Sequence, residues 1–199
     1  MKNKRTSKYL LHYDSTDKRC SENKIYTKWK SLHRRVTNVD FYKDCSVCSD
    51  WCYYSEFKKW VMNELSAYNH SFQLSQLQLD KDILNPFEGN KLYSPEKCIL
   101  IPQELNKFTT FEKKGHEFKY IGAHLDKRDG YYYTHCNNPF TRKSSTYGRS
   151  LTAEEAHKKW CLVKSGFCRE LVEKQIYKRD IINQALLRTA VILEEKGGL

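Results

Sequence analysis

The sequence predicts an α+β fold made of two small units in series. Strand-like and helical patterns alternate along a chain of 199 residues, a length that suits one or two small domains. A strand, a polar loop, a second short strand and a helix start follow one another between residues 79 and 106. Three strands and a long helix follow from about residue 115. We therefore expect a basic flexible tail at 1–24, a first unit at 25–112, a three-strand and helix unit at 115–177, and a C-terminal helix at 178–199.

The charge balance favours a polyanionic partner. The chain carries 35 Lys and Arg residues against 24 Asp and Glu residues, a net charge of +11. Nucleic acid is the simplest partner for such an excess, although ribosome-associated and membrane-surface proteins share it. No apolar run approaches the roughly 20 residues that span a bilayer, and the basic N-terminus lacks the apolar core of a secretory signal. We expect a cytoplasmic protein that does not enter the membrane.

Helical and strand periodicities divide the first unit. Trp29 and Leu32 share one side of a predicted helix, and Tyr54, Phe57 and Leu65 recur at helical spacing as the core-facing side of another. We expect a strand before this second helix, and loose alternation predicts another strand after it. The predicted elements are a helix at 25–36, a strand at 41–48, a helix at 51–65 and a strand at 72–84.

The last predicted strand of this series carries two carboxylates. Strand alternation directs Asp80 and Asp82 to the same side, away from Leu77 and Leu79. Asn106 follows on the predicted helix start. Carboxylate and amide oxygens are the ligands that hard divalent cations prefer, so the pattern indicates a metal site. A solvated strand edge is the alternative.

The stretch LDKDILNPFEGNKLYSPEKCILIPQELN resembles the HNH homing endonucleases of bacteriophages. The resemblance rests on LDKDIL, on NK-YSP, on the Cys that follows, and on a short strand that ends in IPQELN. It implies a ββα-metal nuclease unit in which Asp80 and Asn106 hold one Mg²⁺ or Mn²⁺ ion. Such an ion contacts the scissile phosphate of double-stranded DNA and stabilises the departing 3′ oxygen.

The position of the general-base His in that family falls on Lys81. Lys81 serves as the base only if it loses its proton near neutral pH; alternatively it clamps phosphate, and Asp82 or a metal-bound hydroxide takes the proton. The predicted catalytic set is therefore Asp80, Lys81 and Asp82. An inactive ββα fold retained for DNA binding is the competing hypothesis. His70 is the nearest upstream candidate base, and His33 is expected at the surface or in a loop.

Three cysteines raise the question of zinc. Cys45, Cys48 and Cys52 have a CxxCxxxC spacing that could supply three zinc thiolates. A fourth ligand would have to come from Cys20, Cys98, a His or another residue. These positions are also ordinary sites for small buried apolar side chains. We expect neither zinc nor a disulfide framework.

The second unit has the pattern of a three-stranded sheet followed by a helix. Lys127-Arg128-Asp129-Gly130 has hairpin-turn chemistry. Thr152 and Glu155 form a capping box at the start of the helix. The predicted elements are strands at 118–125, 130–137 and 146–151, and helices at 152–176 and 180–193.

The order of these elements and the junction GRSLTAEEA resemble the DNA-binding domain of plant ethylene-response factors. Phage HNH endonucleases commonly carry this module behind the nuclease unit. The resemblance implies that the sheet lies in the DNA major groove and that the helix packs on its other face. Alternation in GYYYTHCN places Thr134 and Cys136 on the helix side and Tyr131, Tyr133 and His135 outward.

Outward aromatics and nearby cations would contact phosphates and base edges, although tyrosines are also simply good strand formers. The predicted nucleic-acid contacts are Lys97, Lys119, Lys127, Arg128, Tyr131, Tyr133, His135, Arg142, Lys143 and Arg149.

Three functions compete. The first is a phage-type homing endonuclease that hydrolyses double-stranded DNA in the host cytoplasm, and acts as a homodimer where both strands are cut. The second is a nuclease-derived, catalytically inactive regulator or host-takeover protein. The third is an RNA-binding or protein-binding inhibitor that uses the same basic surface.

Overall fold

The computed structural model describes residues 9–69, 71–87, 89–111 and 120–199. The predictions for His70, Lys119 and the start of the strand at 118–125 lie outside these residues. The chain divides into two compact units, Met1–Gln103 and Glu104–Leu199, a boundary that lies earlier than the predicted one at 112–115. The mixture of helices and small sheets is an α+β architecture, as the sequence predicted.

Two helices build the core of the first unit. Helix α1 (Lys24–Asn38) begins at Asn23, whose side chain accepts the backbone N–H of Tyr26 at 3.0 Å. Helix α2 (Tyr54–Ser66) follows a single 3₁₀ turn at Asp50–Cys52. Both helices bury apolar side chains at spacings of three and four residues, which confirms the two predicted helices. These side chains include Trp29, Leu32, Val36, Tyr54, Phe57 and Val61.

The segment before α1 packs against the start of α2. His12 donates its backbone N–H to the Cys52 carbonyl at 2.9 Å and accepts that of Tyr54 at 3.0 Å. The ring of Tyr13 stacks on that of Tyr54, with 4.8 Å between centroids. Asp14 accepts both the N–H and the hydroxyl of Ser55, at 2.9 and 2.6 Å. Residues 9–23 are therefore part of the packed unit rather than the predicted flexible tail.

The strands of the first unit are shorter than predicted. Strand β1 (Ser46–Val47) pairs in parallel with β3 (Leu92–Tyr93), and β2 (Leu77–Asp80) pairs antiparallel with β4 (Ile99–Pro102). The predicted strand at 41–48 is wrong over most of its length, because residues 40–42 form a 3₁₀ turn. Of the predicted strand at 72–84, only residues 77–80 form a strand. A 3₁₀ turn at 74–76 precedes it, and a turn capped by the Asp80 side chain follows it.

In the second unit, helix α3 (Gln103–Thr109) starts at the unit boundary. Strands β5 (Ala123–Leu125), β6 (Tyr132–Asn137) and β7 (Ser144–Ser150) form one antiparallel sheet in the order β5-β6-β7. Helix α4 (Ala153–Glu173) packs on this sheet, and helix α5 (Asp180–Gly197) packs on α4.

The start of α4 confirms the predicted cap. Thr152 Oγ1 accepts the N–H of Glu155 at 3.2 Å, and the Glu155 carboxylate accepts the N–H of Leu151 at 3.1 Å. Arg169 and Glu194 join α4 to α5 through hydrogen bonds of 2.7 and 2.6 Å. Across the described parts of the chain, no helix is long and apolar enough to cross a membrane.

Candidate functional site

The two faces of the three-stranded sheet differ in character, as the alternation of β6 predicted. Thr134 and Cys136 are only 0 and 2 % exposed. Thr134 Oγ1 donates to the Ala156 carbonyl of α4 at 3.0 Å, so this face lies under the helix. Tyr133 and His135 are partly exposed on the opposite face. We call that opposite face the outward face of the sheet.

An irregularity in β7 directs Arg149 to the outward face. Tyr133 pairs with Arg149, and His135 pairs with Thr146, so β7 has one more residue than β6 between these pairs. Gly148 has a φ of +119° at this point, a conformation that favours glycine. A β-bulge of this kind resets the alternation of side chains along a strand. Arg149 therefore shares a face with its partner Tyr133.

Arg149 shares the outward face with several aromatic rings. Its guanidinium lies over the ring of Tyr131, 4.6 Å from the centroid. His124 pairs with Tyr133 across β5 and β6, and its ring lies 4.7 Å from that of His135. The outward face is thus a patch of flat rings and one guanidinium. The residues that form this patch are His124, Tyr131, Tyr133, His135 and Arg149.

Asp129 anchors two of these tyrosines. Tyr133 donates its hydroxyl to Asp129 Oδ2 at 2.6 Å, and Tyr131 donates its backbone N–H to Asp129 Oδ1 at 3.0 Å. The hydroxyl bond lowers the pKa of Asp129 and raises the pKa of Tyr133. Asp129 therefore fixes the ring of Tyr133 and the backbone of Tyr131.

Two of the predicted DNA-contacting arginines are engaged by carboxylates. Arg128 donates hydrogen bonds from Nε and Nη2 to the Asp126 carboxylate, the shortest at 2.5 Å. The Arg128 side chain is nevertheless 90 % exposed. These hydrogen bonds lower the pKa of Asp126 to about 2. Arg142 pairs with Glu104 at 2.6 Å. Lys127 and Lys143 are exposed on the same unit.

In the first unit, Asp80 caps a turn at the end of β2. Its Oδ1 atom accepts the backbone N–H of Asp82 at 2.8 Å and that of Ile83 at 2.7 Å. Burial raises the pKa of the Asp80 carboxyl, against these two bonds, which lower it. Such a cap is a local turn motif of aspartate. It ends the strand, so the predicted common strand face for Asp80 and Asp82 is wrong.

Lys81 and Asp82 form an ion pair of 2.5 Å beside this turn. The Lys81 side chain is 11 % exposed and the Asp82 side chain 60 % exposed. Asn90 donates to the Lys81 carbonyl at 2.9 Å. Asn90, Lys91 and Lys97 line a cavity of about 360 Å³. The predicted contact Lys97 therefore lies at a basic, polar depression of the surface.

The two predicted metal ligands belong to different units. Asp80 ends β2 in the first unit, whereas Asn106 lies in α3 within the second. The three cysteines of the CxxCxxxC motif are unpaired thiols, and burial raises the pKa of each. Among the described residues, no group of three or more His, Cys, Asp or Glu side chains could hold a metal ion.

Sequence reasoning missed a basic cavity of about 630 Å³ beside α1. His33 lies on its wall and is only 2 % exposed, so the prediction of a surface or loop position is wrong. The available signal was helical spacing, because His33 follows Trp29 by four residues on the buried side of α1.

Comparison with known proteins finds no matching family model, no matching curated protein and no matching solved structure.

Proposed function

We propose that this chain binds double-stranded DNA through the outward face of the β5-β6-β7 sheet. One observation carries the proposal: the bulge at Gly148 places Arg149 beside Tyr131 and Tyr133 on the face that α4 leaves uncovered. Arginine is the side chain that most often recognises guanine in the major groove. Flat rings supply contact area to bases and sugars.

The dimensions of the sheet support a duplex. Adjacent strands lie about 4.8 Å apart, so the three strands span about 10 Å between the outer strand axes. The major groove of B-DNA is about 12 Å wide. Lys127 and Lys143, in the connections between strands, extend the positive charge toward the flanking phosphates. These residues would position the sheet, whereas Arg149 would contact base edges.

Fluorescence anisotropy with the full chain tests this function. Labelled duplex DNA and duplex RNA of equal length and sequence are titrated at several salt concentrations. We expect tighter binding to DNA, because the deep and narrow major groove of RNA does not admit a sheet, and log affinity should fall linearly with log salt. Equal or tighter binding to RNA, or no DNA binding at low salt, would favour the inhibitor hypothesis instead.

DNA cleavage by the first unit is a second proposal. Its support is the antiparallel pairing of β2 with β4 and the position of Asp80 at the end of β2. Both hydrogen bonds that Asp80 accepts from the described residues reach Oδ1. Its Oδ2 atom would supply one oxygen ligand to Mg²⁺ or Mn²⁺, the class of donor that these ions prefer. A bound ion would act as a Lewis acid toward phosphate.

Supercoiled plasmid distinguishes a nuclease from a regulator. The plasmid is incubated with the chain in Mg²⁺, in Mn²⁺ and in EDTA, alongside Asp80→Asn and a control variant, Asp44→Asn, which neutralises an exposed carboxylate of the same unit. A nuclease nicks the plasmid only with metal, and only Asp80→Asn abolishes nicking. Tight DNA binding without nicking under any condition supports the catalytically inactive regulator.

A further inference from the structure

The two histidines of the outward face lie in contact at a diagonal position of the sheet. His124 pairs with Tyr133 across β5 and β6, and His135 lies two residues further along β6. Diagonal neighbours on one face of an antiparallel pair are within reach of aromatic and long side chains. The ring centroids of His124 and His135 lie 4.7 Å apart, with 59° between the ring planes.

The separation of these rings matches that of two ligands on one metal ion. A bond of about 2.0–2.1 Å from an imidazole nitrogen to zinc places the ring centroid about 3.2 Å from the ion. Two rings on the same ion are then about 4.5 Å apart when their bonds form a right angle, and about 5.2 Å apart at the tetrahedral angle. The 4.7 Å between His124 and His135 lies between these values. The two strands therefore already hold the rings at the spacing that a shared ion requires.

Both rings are accessible from solvent. His124 is exposed and His135 is half-buried, so an ion reaches them without any opening of the core. A histidine ligand uses one ring nitrogen for the metal, and the other nitrogen usually donates a hydrogen bond to a neighbouring group. Each histidine can therefore keep a protein partner and still bind the ion.

The guanidinium of Arg149 lies toward the other end of the patch. It covers the ring of Tyr131, and Tyr131 and His135 flank Tyr133 on opposite sides along the chain. A cation held beside the two histidines would repel a metal ion. Because Arg149 is directed to Tyr131, an ion between His124 and His135 does not have to displace it.

We propose that His124 and His135 bind one divalent transition-metal ion of the class of zinc, nickel and copper. Imidazole nitrogen suits these ions, whereas Mg²⁺ prefers oxygen ligands. The described residues add no third His, Cys, Asp or Glu side chain to this pair, so water or an external donor fills the remaining positions of the ion. The site is distinct from the Mg²⁺ or Mn²⁺ ligand proposed at Asp80, and it does not depend on the proposed DNA binding.

Residue-specific NMR on the unaltered full chain tests this site. The ring ¹⁵N signals of the histidines are followed while free Zn²⁺, fixed by a chelator buffer, is raised. We expect the signals of His124 and His135 to shift together with one midpoint, and Mg²⁺ at the same concentrations to shift neither. The readout is specific to each ring, so zinc bound by cysteine thiols elsewhere does not affect it. Shifts of neither ring, or of only one of the two, would overturn the proposal.

Single variants test whether the two rings share the ion. In His135→Gln, the midpoint of the His124 signal should move to free Zn²⁺ at least about tenfold higher, because one of two ligands is lost. His12→Gln removes an imidazole of the first unit, whose ring stacks on Tyr53, and should leave the midpoint unchanged. An unchanged midpoint in His135→Gln, or an equal change in both variants, would contradict a shared ion. Arg149→Ala should weaken DNA binding but not zinc binding, so the two proposals fail separately.

Discussion

The guanidinium of Arg149 lies over the ring of Tyr131, 4.6 Å from its centroid. A cation over an aromatic ring at an exposed site is stabilised by about 0.5–1 kcal/mol, which restricts the arginine before DNA arrives. The backbone of Tyr131 is held by its N–H bond to Asp129. Restricting a side chain in advance reduces the entropy lost on binding. This arrangement makes Arg149 the residue on which the proposed DNA contact chiefly depends.

Releasing Arg128 should strengthen DNA binding. Asp126 holds the Arg128 guanidinium in the turn between β5 and β6. Asp126→Asn removes that counter-charge, so we expect DNA affinity to rise by about two- to tenfold and the salt slope to steepen by about one. Anisotropy titrations at several salt concentrations measure both changes. Glu173→Gln, which neutralises an exposed residue of α4, controls for net charge; an equal gain from it would show that Arg128 does not contact the DNA.

Alanine substitutions at three glycines of the second unit distinguish backbone strain from side-chain clash. Gly122, Gly130 and Gly148 all have positive φ, between +77° and +119°. A Cβ on Gly122 would lie 2.2 Å from Trp160 Cδ1, whereas one on Gly130 or Gly148 meets nothing within 4 Å. We expect Gly130→Ala and Gly148→Ala each to lower the free energy of unfolding by about 1–3 kcal/mol, and Gly122→Ala to lower it further. Urea unfolding measures this, and equal losses at all three positions would contradict the predicted clash.

Replacing Lys164 should stabilise the second unit. Lys164 is 5 % exposed, and its ammonium lies 3.5 Å from the centroid of Phe108. Burial lowers its pKa to about 8 from the ordinary 10.5. That difference corresponds to a cost of roughly 3 kcal/mol for the charged form at neutral pH. Lys164→Met should therefore raise the free energy of unfolding at pH 7, whereas Lys178→Met, at an exposed lysine, should leave it nearly unchanged.

Lys164 should also make the free energy of unfolding depend on pH. Above about pH 8 the folded chain has lost the Lys164 proton, which the unfolded chain keeps up to about pH 10.5. The unfolded state then binds more protons, so stability rises with pH across this window. Subtracting the Lys164→Met curve removes the contributions of other titrating groups. A stability difference between the parent chain and Lys164→Met that stays constant from pH 7 to pH 10 would contradict the lowered pKa of Lys164.

Asp80 has a capping role that can be separated from its charge. Asp80→Asn keeps an oxygen that accepts the N–H groups of Asp82 and Ile83, whereas Asp80→Ala removes it. We expect Asp80→Ala to cost about 1–2 kcal/mol of unfolding free energy and Asp80→Asn to cost little. Chemical unfolding of both variants at pH 7 checks this. Equal losses would show that the charge, and not the cap, stabilises the turn.

The raised pKa of Asp80 determines how the stability difference between Asp80→Asn and the parent chain should change with pH. An acid whose pKa is higher in the folded state binds more protons there, so it contributes stability at low pH that is lost as the pH rises through that pKa. The stability of Asp80→Asn relative to the parent chain should therefore increase from acid to neutral pH. The opposite trend would mean that an attraction to a cation, and not burial, dominates at Asp80.

Local periodicity was sufficient to predict the helices and the character of the sheet. Helix α1 follows from the spacing of Trp29 and Leu32, and the start of α4 follows from the cap at Thr152. The two faces of β6 follow from strict alternation, since Thr134 and Cys136 are small and lie under the helix.

Features that depend on distant partners escaped prediction. Strand β1 pairs with β3, far along the chain, so its short length was not evident from local sequence and the strand predicted at 41–48 was too long. The segment at 9–23 has no periodicity, and its order follows from contacts with residues far along the chain, on α1, β1 and α2. At Asp80 the error was local: turn capping by its side chain competed with the strand pattern. Arg149 faces outward because of the bulge, whose position depends on the pairing of β6 with β7.

The most direct test of the central claim compares Arg149→Ala with Lys178→Ala in duplex DNA binding. Both variants remove one cation from the second unit, but only Arg149 lies on the outward face of the sheet. We predict that Arg149→Ala weakens binding to a preferred duplex by about 5- to 100-fold, the loss of one base contact, while Lys178→Ala changes it by less than about twofold. Equal, small effects of the two substitutions would contradict DNA recognition by this sheet.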